Sequence, residues 1–452
     1  MLLLKTKPLT LLLIPIWLWK GKAYLKQQLA LHVQLAPPIL PYHQHVLNFL
    51  RKEHASGRPI ILATASDQLV AQSIAQYLGI FSRVFASDGQ VNLSGVRKAR
   101  ALESCFGTQG FHYIGDAVVD LPVWKAADIA MLTKPSSRLA RALDSPSKEV
   151  WSLSAPAPTV RDVGRAMRLH QWAKNILLFV PLVMAHKISQ IGLLGQLLCG
   201  FLAFGFSASA VYIVNDLLDL EDDRQHPTKR ERPFARGSLP IKMGVFMVPV
   251  LLVGSFAISV GFLPYLFLVI LALYIAISMT YSLVLKGILV LDVLVLAGLY
   301  TLRILAGGVA VGVQVSPWLL AFSMFIFLSL AFVKRFSELR MVIGDKQSYL
   351  RGRGYRDSDL DMVRSIGPAS GYLAVLVLAL YLNSQDVAKL YPNPYILWLI
   401  GPLILYWITR LWFLANRGEI SGDPLVFTLN DSRSYLVGAL ALCLLVIASI
   451  PY

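Results

Sequence analysis

Three carboxylates and a run of basic residues stand together near the middle of the chain. Asp216, Asp219 and Asp223 are separated by three and four positions, a spacing that places them on one face of a helix. They follow a segment apolar enough to cross a bilayer, where a charged side chain costs on the order of 3 kcal/mol. Since Mg²⁺ prefers carboxylate oxygens combined with substrate phosphates, the pattern predicts a magnesium site for a phosphorylated substrate. The alternative is a solvated helix end with incidental charges.

Charged and polar clusters recur at the ends of four other apolar segments. They are Arg168, Gln171, Trp172, Lys174 and Asn175 before the first predicted span, Tyr281 and Lys286 after the fourth, Lys334, Arg335 and Glu338 after the sixth, and Asp423, Asp431 and Arg433 before the ninth. Many cations beside a magnesium site favour a polyphosphate substrate, because they bind the phosphates while the metal neutralises the leaving oxygens. An ion-coupled transporter would instead need ionisable groups near the membrane midplane. Asp292 and Arg303 lie within the fifth span and form either a buried ion pair or a ligand contact.

The composition is that of an integral membrane protein with an additional soluble domain. Of 452 residues, 56% are hydrophobic and 15% charged, and the mean hydropathy is +0.59, too apolar for an ordinary soluble protein. Long apolar runs begin only after about Lys174, whereas residues 40–150 show the short runs and frequent charges of an α/β domain. Cys105, Cys199 and Cys443 are too far apart in sequence to indicate a disulfide framework or a zinc site.

The net charge of +16 indicates membrane topology and anionic ligands. Residues 1–150 carry 17 basic and 9 acidic side chains, and the basic residues of the remainder lie mostly in a few loops. No nucleic-acid partner is predicted, because this placement does not make a polynucleotide track.

Nine transmembrane helices are predicted when each span takes about 17–25 apolar residues. Their centres lie near residues 184, 204, 252, 274, 300, 324, 375, 405 and 443. With this count the strongly basic loops all fall on one side, and the opposite loops hold only Lys187 and Lys389. The positive-inside rule then makes the charged face and the soluble domain cytoplasmic in a multi-pass protein of the inner (plasma) membrane, with the C-terminus outside.

The motif NDLLDLEDD at 215–223, after the second predicted helix, resembles the first aspartate-rich motif of UbiA-type intramembrane prenyltransferases. The likeness covers roughly Arg161–Tyr452. Within that superfamily the chain resembles the decaprenyl-phosphate phosphoribosyltransferases. The stretches that carry the likeness are RLHQWAKN at 168–175, SASAVYIVND at 207–216, DRQHPTKRERPFARG at 223–237, LRILAGGVA at 302–310 and KRFSEL at 334–339. The resemblance implies that phosphoribose moves from phosphoribosyl pyrophosphate (PRPP) to a polyprenyl phosphate, with Mg²⁺ as cofactor.

One departure from the wider superfamily separates the candidate donors. Members that prenylate aromatic acceptors resemble one another in a second aspartate-rich motif after the sixth span, where this chain reads KRFSE at 334–338. The exchange of a carboxylate for Arg335 weakens a second metal site and adds a cation, which suits a donor with an extra phosphate. Prenyl transfer to an aromatic acceptor remains the alternative, and a non-catalytic scaffold or transporter is a third hypothesis.

The resemblance assigns roles to individual side chains. Asp216, Asp219 and Asp223 bind Mg²⁺ and pyrophosphate, with Asn215 as a hydrogen-bonding partner. The substrate-binding side chains are Lys229, Arg230, Arg232, Lys334 and Arg335, with Lys174, Lys286 and Glu338 in addition. The lipid phosphate is already ionised when it attacks the anomeric carbon, so that no strong general base is needed. Its apolar tail is expected in a groove between helices that opens to the bilayer.

The soluble part resembles a haloacid dehalogenase-like phosphatase over residues 40–134. Thr64 ends a strand, IILAT, that is similar to one of that family's motifs, Lys98 matches its lysine, and Asp116 with Asp120 matches its metal-binding acidic motif. The family's nucleophile belongs to an Asp-x-Asp motif, whereas no aspartate precedes Asp67 here. Phosphatase activity is therefore expected to be absent or very poor. The pairing of the two domains suggests that a complete tethered phosphatase would remove the 5-phosphate from the lipid-linked sugar. The product, polyprenyl-phosphoribose, would be a precursor for lipid-linked pentose donors of cell-envelope glycans.

The sequence thus predicts a multi-domain protein. Residues 1–145 form an incomplete, Rossmann-like α/β domain, residues 146–160 a linker, and residues 161–452 an all-α membrane bundle of nine helices. Residues 1–40 look helical and are predicted to be a cap region or a membrane-surface helix, since the apolar run from Leu9 to Trp19 is short for a span. The missing first strand is interpreted as truncation by a misplaced start or by gene loss.

Overall fold

The protein divides into two compact units. The first comprises Met1–Val163 with Asp216–Ile241, and the second comprises Gly164–Asn215 with Lys242–Tyr452. The computed structural model describes residues 3, 7–33, 35–133, 142–143, 149–152, 158–226, 228–344, 353–384, 387, 390–420 and 422–450. Residues 146–148 and 153–157 of the predicted linker therefore lie outside the described part. The loop after the second predicted span belongs to the first unit, which the sequence did not predict.

Parallel strands and short helices make up most of the first unit. The strands are β1 (Ile60–Asp67), β2 (Phe81–Ser87), β3 (Tyr113–Gly115), β4 (Ile129–Leu132) and β5 (Glu149–Ser152). The helices before β5 are α1 (Ile14–Trp19), α2 (Lys22–His32), α3 (Gln44–Ala55), α4 (Gln68–Leu78), α5 (Val96–Phe106) and α6 (Leu121–Ala126). β1 pairs in parallel with β2, and β4 lies between β3 and β5 in a second parallel sheet. This alternation is α/β architecture, while the likeness to haloacid dehalogenase-like phosphatases stays a prediction.

A small apolar core fixes the elements of this unit. Val123, Trp124 and Ala127 are completely buried together with Leu102 on α5 and Leu132 on β4. Burial of a large aromatic side chain such as Trp124 contributes about 2–3 kcal/mol. The core therefore holds α5 against α6 and sets the polar residues on those elements in place.

Long apolar helices dominate the rest of the chain. In order, the helices after β5 are α7 (Val160–Ala166), α8 (Val180–Met184), α9 (Ile191–Leu218), α10 (Leu220–Gln225), α11 (Pro233–Arg236), α12 (Ile241–Phe262), α13 (Tyr265–Leu283), α14 (Leu291–Ala310), α15 (Pro317–Gly344), α16 (Leu360–Leu382), α17 (Ile400–Arg417), α18 (Pro424–Thr428) and α19 (Ser432–Ser449). Among the described residues, eight helices are long and apolar enough to cross a membrane: α9, α12 to α17, and α19. The prediction of a helical membrane bundle is confirmed.

The first predicted span differs from an ordinary transmembrane helix. Residues Leu169–Phe179 form a 3₁₀-helix that continues as α8 and ends at Met184. Pro181 has no N–H to donate, and the buried side chains of Lys174 and Asn175 add polarity, so no single long α-helix forms here. The described residues thus hold eight long spans rather than nine. Since 3₁₀ and α geometry rise about 2.0 and 1.5 Å per residue, the combined run still covers roughly 30 Å, and a ninth crossing stays a prediction.

α14 lies at the centre of the second unit. Val293, Ala297 and Ile304 belong to an apolar core that α14 shares with α15 to α17. Ala306 and Ala310 belong to another core, shared with α9 and α13. Because α14 is covered from two sides, its polar side chains are buried and must find partners within the protein. In contrast, α12 exposes large apolar side chains, as expected of a lipid-facing surface.

Two main chains meet where α14 passes the 3₁₀-helix. A Cβ atom at Gly307 would lie 2.0 Å from the carbonyl oxygen of Leu178 and 2.8 Å from its Cα. Only a glycine allows this approach, because the obstacle is backbone and cannot rotate away. The contact holds the segment that carries Lys174 and Asn175 directly against α14.

Replacing Gly307 with alanine is expected to destabilise the protein by about 1–3 kcal/mol or more, since the added methyl group must push the two backbones apart. Thermal unfolding in detergent measures this loss. Gly298→Ala is the matched control, because a Cβ at that position of α14 meets no other atom within 4 Å. Equal unfolding temperatures for the two variants would contradict the importance of this contact.

Candidate active site

The predicted metal-binding carboxylates lie where α9 ends and α10 begins. Asp216 is in the last turn of α9, Asp219 is the N-cap residue of α10, and Asp223 follows one turn later. Asp216 and Asp223 are each only 2% exposed, while Asp219 is half-buried. The break in the helix at Asp219 is small, since the N–H of Asp223 donates to its carbonyl at 2.8 Å. The three carboxylates thus lie on two consecutive helices rather than on one, and their joint role in metal binding stays a prediction.

Arg232 joins two of these carboxylates. Its Nη1 atom donates to Asp216 Oδ1 at 3.0 Å and to Asp223 Oδ2 at 2.6 Å. Burial raises the pKa of Asp223 above its ordinary value, and the guanidinium group opposes this rise. We call Asp216, Asp219, Asp223 and Arg232 the acidic cluster.

The acidic cluster fits a magnesium ion that is shared with a substrate. Two carboxylate oxygens that contact one nitrogen atom converge on a small volume. No three acidic, histidine or cysteine side chains among the described residues form a metal site by themselves. Mg²⁺ usually takes one or two carboxylates and completes its shell with water and substrate phosphates, so the donor set of Asp216 and Asp223 suits it.

The rest of the basic loop 224–236 is partly fixed and partly open. Arg236 donates to Asp162 at 2.9 Å, and Arg224 donates to the carbonyl of Ala235 at 3.3 Å, which ties down both ends of the loop. Lys229 and Arg230 lie between these two hydrogen-bonded ends and are exposed to solvent. Exposed cations on a loop with fixed ends are well placed to meet a mobile phosphate group.

In the second unit, cations from two predicted clusters converge on one carboxylate. Lys174 Nζ donates to Asp423 Oδ2 at 2.5 Å, and Lys334 Nζ lies 3.9 Å from the same oxygen. The hydroxyl group of Tyr300 donates to both Asp423 oxygens, at 3.2 and 3.1 Å. Asp423 also caps α18 by accepting the N–H of Leu425 at 3.1 Å. We call Lys174, Lys334, Asp423 and Tyr300 the lysine–aspartate cluster.

This cluster keeps a net positive charge. Burial alone would raise the pKa of Asp423, but the ammonium groups of Lys174 and Lys334 hold it well below its ordinary range, so the residue is ionised. Two ammonium groups then face one carboxylate, which leaves one positive charge for an anionic ligand. The sequence predicted the two lysines as substrate-binding residues, and Tyr300 was missed because a tyrosine in an apolar helix resembles core.

Arg303 is enclosed by aromatic rings and does not pair with Asp292. Its Nε donates to Asn175 Oδ1 at 3.1 Å and its Nη2 to the Tyr274 hydroxyl at 2.9 Å. The guanidinium carbon lies 4.8 Å from the ring centre of Tyr274 and 5.8 Å from that of Tyr300. The hypothesis of an Asp292–Arg303 ion pair is therefore wrong, because each side chain finds partners on other elements.

Arg335 is the partner of Asp292. Its side chain is fully buried, with Nε 2.9 Å from Asp292 Oδ2, and it forms a second ion pair with Glu338. Tyr355 adds a hydrogen bond to Asp292 Oδ1 at 2.8 Å. A direct phosphate contact for Arg335, as predicted from its position in KRFSE, disagrees with this burial between two carboxylates. Its role in substrate binding stays a prediction. Lys286, another predicted substrate-binding residue, lies half-buried in the 3₁₀ turn before α14.

The phosphatase-like residues of the first unit are brought together only in part. Lys98 Nζ donates to Asp120 Oδ1 at 2.7 Å and to the Tyr113 hydroxyl at 2.9 Å, all three being buried. Asp116 is exposed, and Thr64 Oγ1 accepts the N–H of Ser66 at 3.1 Å. The roles in phosphate and metal binding stay predictions.

Sequence reasoning also missed a lysine of α2 in the first unit. Lys26 Nζ donates to the carbonyl of Ala65 at 2.5 Å and to Asn92 Oδ1 at 2.7 Å. Burial, together with Lys22 and Lys98, lowers its pKa. Its position at the end of β1 depends on folding and leaves no sequence signal.

The membrane part matches one protein family over most of its length. The model of the UbiA prenyltransferase family matches residues 176–431, more than half of the chain. The chain belongs to the UbiA prenyltransferase family. This UbiA-family protein is thus an integral membrane transferase.

Relatives of this UbiA-family protein include one that spans both units. An uncharacterised protein, y4nM of Sinorhizobium fredii, is 38% identical over 94% of this chain and 83% of its own length. Decaprenyl-phosphate phosphoribosyltransferase of Mycobacterium tuberculosis is 37% identical over 61% of this chain and 90% of its own length. The solved structure of a UbiA homologue from Archaeoglobus fulgidus bound to GPP and Mg²⁺ aligns with 64% of this chain and all of that one, at 16% identity and a TM-score of 0.48.

Replacing Lys174 with methionine is expected to destabilise the protein by on the order of 3 kcal/mol near neutral pH, because it removes the nearest cation from a buried carboxylate. In the native protein the pKa of Asp423 lies below its ordinary value of 3.8. The carboxylate therefore keeps its stabilising charge at every pH down to below 3.8. In the variant, burial raises that pKa, and Asp423 takes up a proton at higher pH.

The stability difference between the two proteins is therefore expected to narrow on acidification, and thermal unfolding in detergent at about pH 7.5 and about pH 5 measures it. Lys187→Met, which removes an exposed lysine, is the control. It should change the unfolding temperature little at either pH. A pH-independent difference for Lys174→Met would argue against an ionised Asp423.

Proposed function

We propose that this protein transfers 5-phosphoribose from PRPP to a polyprenyl phosphate in a Mg²⁺-dependent reaction. The observation that carries the proposal is Lys334, which lies in the lysine–aspartate cluster and begins the KRFSE stretch, where Arg335 stands in place of a carboxylate of the aromatic prenyltransferases. The relative from Mycobacterium tuberculosis, whose name states this activity, supports it. A cation at this position binds an additional phosphate rather than a second metal ion.

The acidic cluster is proposed to hold the pyrophosphate end of the donor. Asp216 and Asp223 provide the converging carboxylate oxygens for Mg²⁺, with Asp219 and Asn215 as supporting groups. Bound Mg²⁺ supplies charge neutralisation to the departing pyrophosphate. Arg232 already contacts both carboxylates, so it is placed to take up a phosphate oxygen when a substrate arrives.

The remaining cations are proposed to bind phosphates of the donor and of the lipid. Lys229 and Arg230 are exposed, and Lys174 and Lys334 retain one uncompensated charge. Lys286 is a further candidate. Arg335 contributes indirectly, because its pairing with Asp292 fixes the turn of α15 that carries Lys334.

The reaction is a substitution at the anomeric carbon. An oxygen of the ionised lipid phosphate forms a bond to this carbon, and the bond to the pyrophosphate oxygen breaks, with the electron pair leaving on pyrophosphate. No proton has to be removed from the nucleophile, which agrees with a site rich in cations. The apolar tail of the lipid would lie between helices in the bilayer, with the chemistry on the cytoplasmic side of the inner membrane.

The second candidate is prenyl transfer from a prenyl diphosphate to an aromatic acceptor. The description of the matching family favours it, and the physical requirements are shared, since Mg²⁺ would again neutralise a departing pyrophosphate. The phosphatase-like unit is proposed to be inactive in either case, because Lys98 is buried and paired with Asp120 while Asp116 lies exposed.

Purified protein in detergent, supplied with Mg²⁺, radiolabelled PRPP and a polyprenyl phosphate, is expected to move label into the lipid phase. Asp223→Asn should reduce this transfer by about two orders of magnitude or more, because the metal site is worth several kcal/mol in the transition state. Initial rates of lipid labelling measure the effect.

Two control variants accompany this assay. Asp222→Asn changes the exposed neighbour of Asp223 on the same helix, and Asp116→Asn changes the exposed carboxylate of the first unit; both should transfer at close to the native rate. Product from a prenyl diphosphate and an aromatic acid, with no labelling from PRPP, would replace the proposal with the second candidate.

A further inference from the structure

The start of the chain presents apolar side chains to the outside of the first unit. Pro8–Leu13 is a 3₁₀-helix that leads into α1, and we call Pro8–Trp19 the N-terminal apolar segment. On its inner side Trp17 is 6% exposed and lies 5.1 Å from the ring of His32 on α2. On its outer side Leu12 is 75% exposed and Trp19 is 88% exposed. The segment is thus folded onto the unit by one face while its opposite face lacks a cover among the described residues.

The charges around this face favour an anionic surface. The first acidic residue of the sequence is Glu53, and the exposed side chains of Lys7, Lys20 and Lys22 flank the segment. Exposed tryptophan and leucine side chains bordered by lysines are the pattern of helices that lie in the interface between lipid headgroups and acyl chains. Each basic residue near an anionic leaflet adds about 1 kcal/mol of attraction.

Chain connectivity places the same unit at the bilayer. The first unit includes Asp216–Ile241, which runs directly from the end of the membrane helix α9 into the membrane helix α12. A Cβ at Gly237 in this loop would lie 3.2 Å from Pro41, so the chain that follows α2 packs against the loop. The loop must lie at the membrane surface, and the N-terminal helices belong to the unit that contains it.

The described apolar stretch is shorter than a membrane span. The apolar helical stretch Thr10–Trp19 has ten residues, which reach at most about 20 Å against a hydrocarbon core of about 30 Å. We infer that residues 8–22 lie in the surface of an anionic phospholipid bilayer, with Leu12, Ile16 and Trp19 in the acyl boundary and Lys20 and Lys22 at the lipid phosphates. The protein then has an interfacial anchor in addition to its membrane helices.

Spin labels on the full chain in lipid nanodiscs test this inference. The background is Cys105→Ser, Cys199→Ser and Cys443→Ser, and single labels are placed by Leu12→Cys, Trp19→Cys and, as the matched control, Val96→Cys. Val96 is also apolar and exposed in the first unit, at 52%. In discs of phosphatidylcholine with about one third phosphatidylglycerol, the ratio of oxygen to nickel-chelate accessibility should be several-fold higher at positions 12 and 19 than at position 96.

Two results would overturn the inference. Equal ratios at all three positions would place the segment in water, and protection from both reagents at positions 12 and 19 would show that protein covers it, as a cap region would. The lysines provide an independent measurement: Lys20→Gln with Lys22→Gln should lower the ratio at position 19 in anionic discs, whereas Lys52→Gln, an exposed lysine on α3, should not. Identical behaviour of these two variants would also count against anionic-lipid binding.

Discussion

Charged side chains that are buried in a membrane protein must be neutralised by neighbours, and this constraint shapes the described structure. Removing an ion from water costs several kcal/mol even after the protein relaxes. Asp292 and Arg335, which are completely shielded from solvent, offset this cost by pairing with each other. The negative charge of Asp423 is neutralised by Lys174 and Lys334. The contact between Lys174 and Asp423 joins elements that are far apart in sequence, so this ion pair also specifies which parts of the chain are neighbours.

The same constraint distinguishes structural charges from chemically available ones. Arg335 faces two carboxylates and has no charge left for a ligand, whereas the lysine–aspartate cluster has one carboxylate for two ammonium groups. In the acidic cluster, Asp216 and Asp223 both contact the guanidinium group of Arg232. The lysine–aspartate cluster can therefore attract an anionic group, and the acidic cluster offers carboxylate oxygens to a cation.

The sequence predicts most strongly those features that depend on local spacing. Long apolar runs predict the eight long spans, whereas the single helical face expected for Asp216, Asp219 and Asp223 is interrupted where α9 ends and α10 begins. Partners chosen by tertiary packing could not be predicted. Asp292 and Arg303 lie on the same helix and carry opposite charges. Nevertheless, Asp292 pairs with Arg335 and Arg303 donates to Tyr274, both on other helices. The 3₁₀-helix before α8 also escaped prediction, because apolarity does not encode helical pitch.

Gly307 also limits how the sequence can change over evolutionary time. Most close contacts between helices involve a side chain, so that a larger residue on one helix can be accommodated by a smaller residue on the other. At this position the opposing atoms belong to the main chain of Leu178, which every amino acid carries. No replacement of Leu178 can make room for a methyl group at position 307. A second substitution at position 178 therefore cannot compensate for the loss of the glycine. Related sequences that keep this helix crossing are expected to keep the glycine whatever residue faces it.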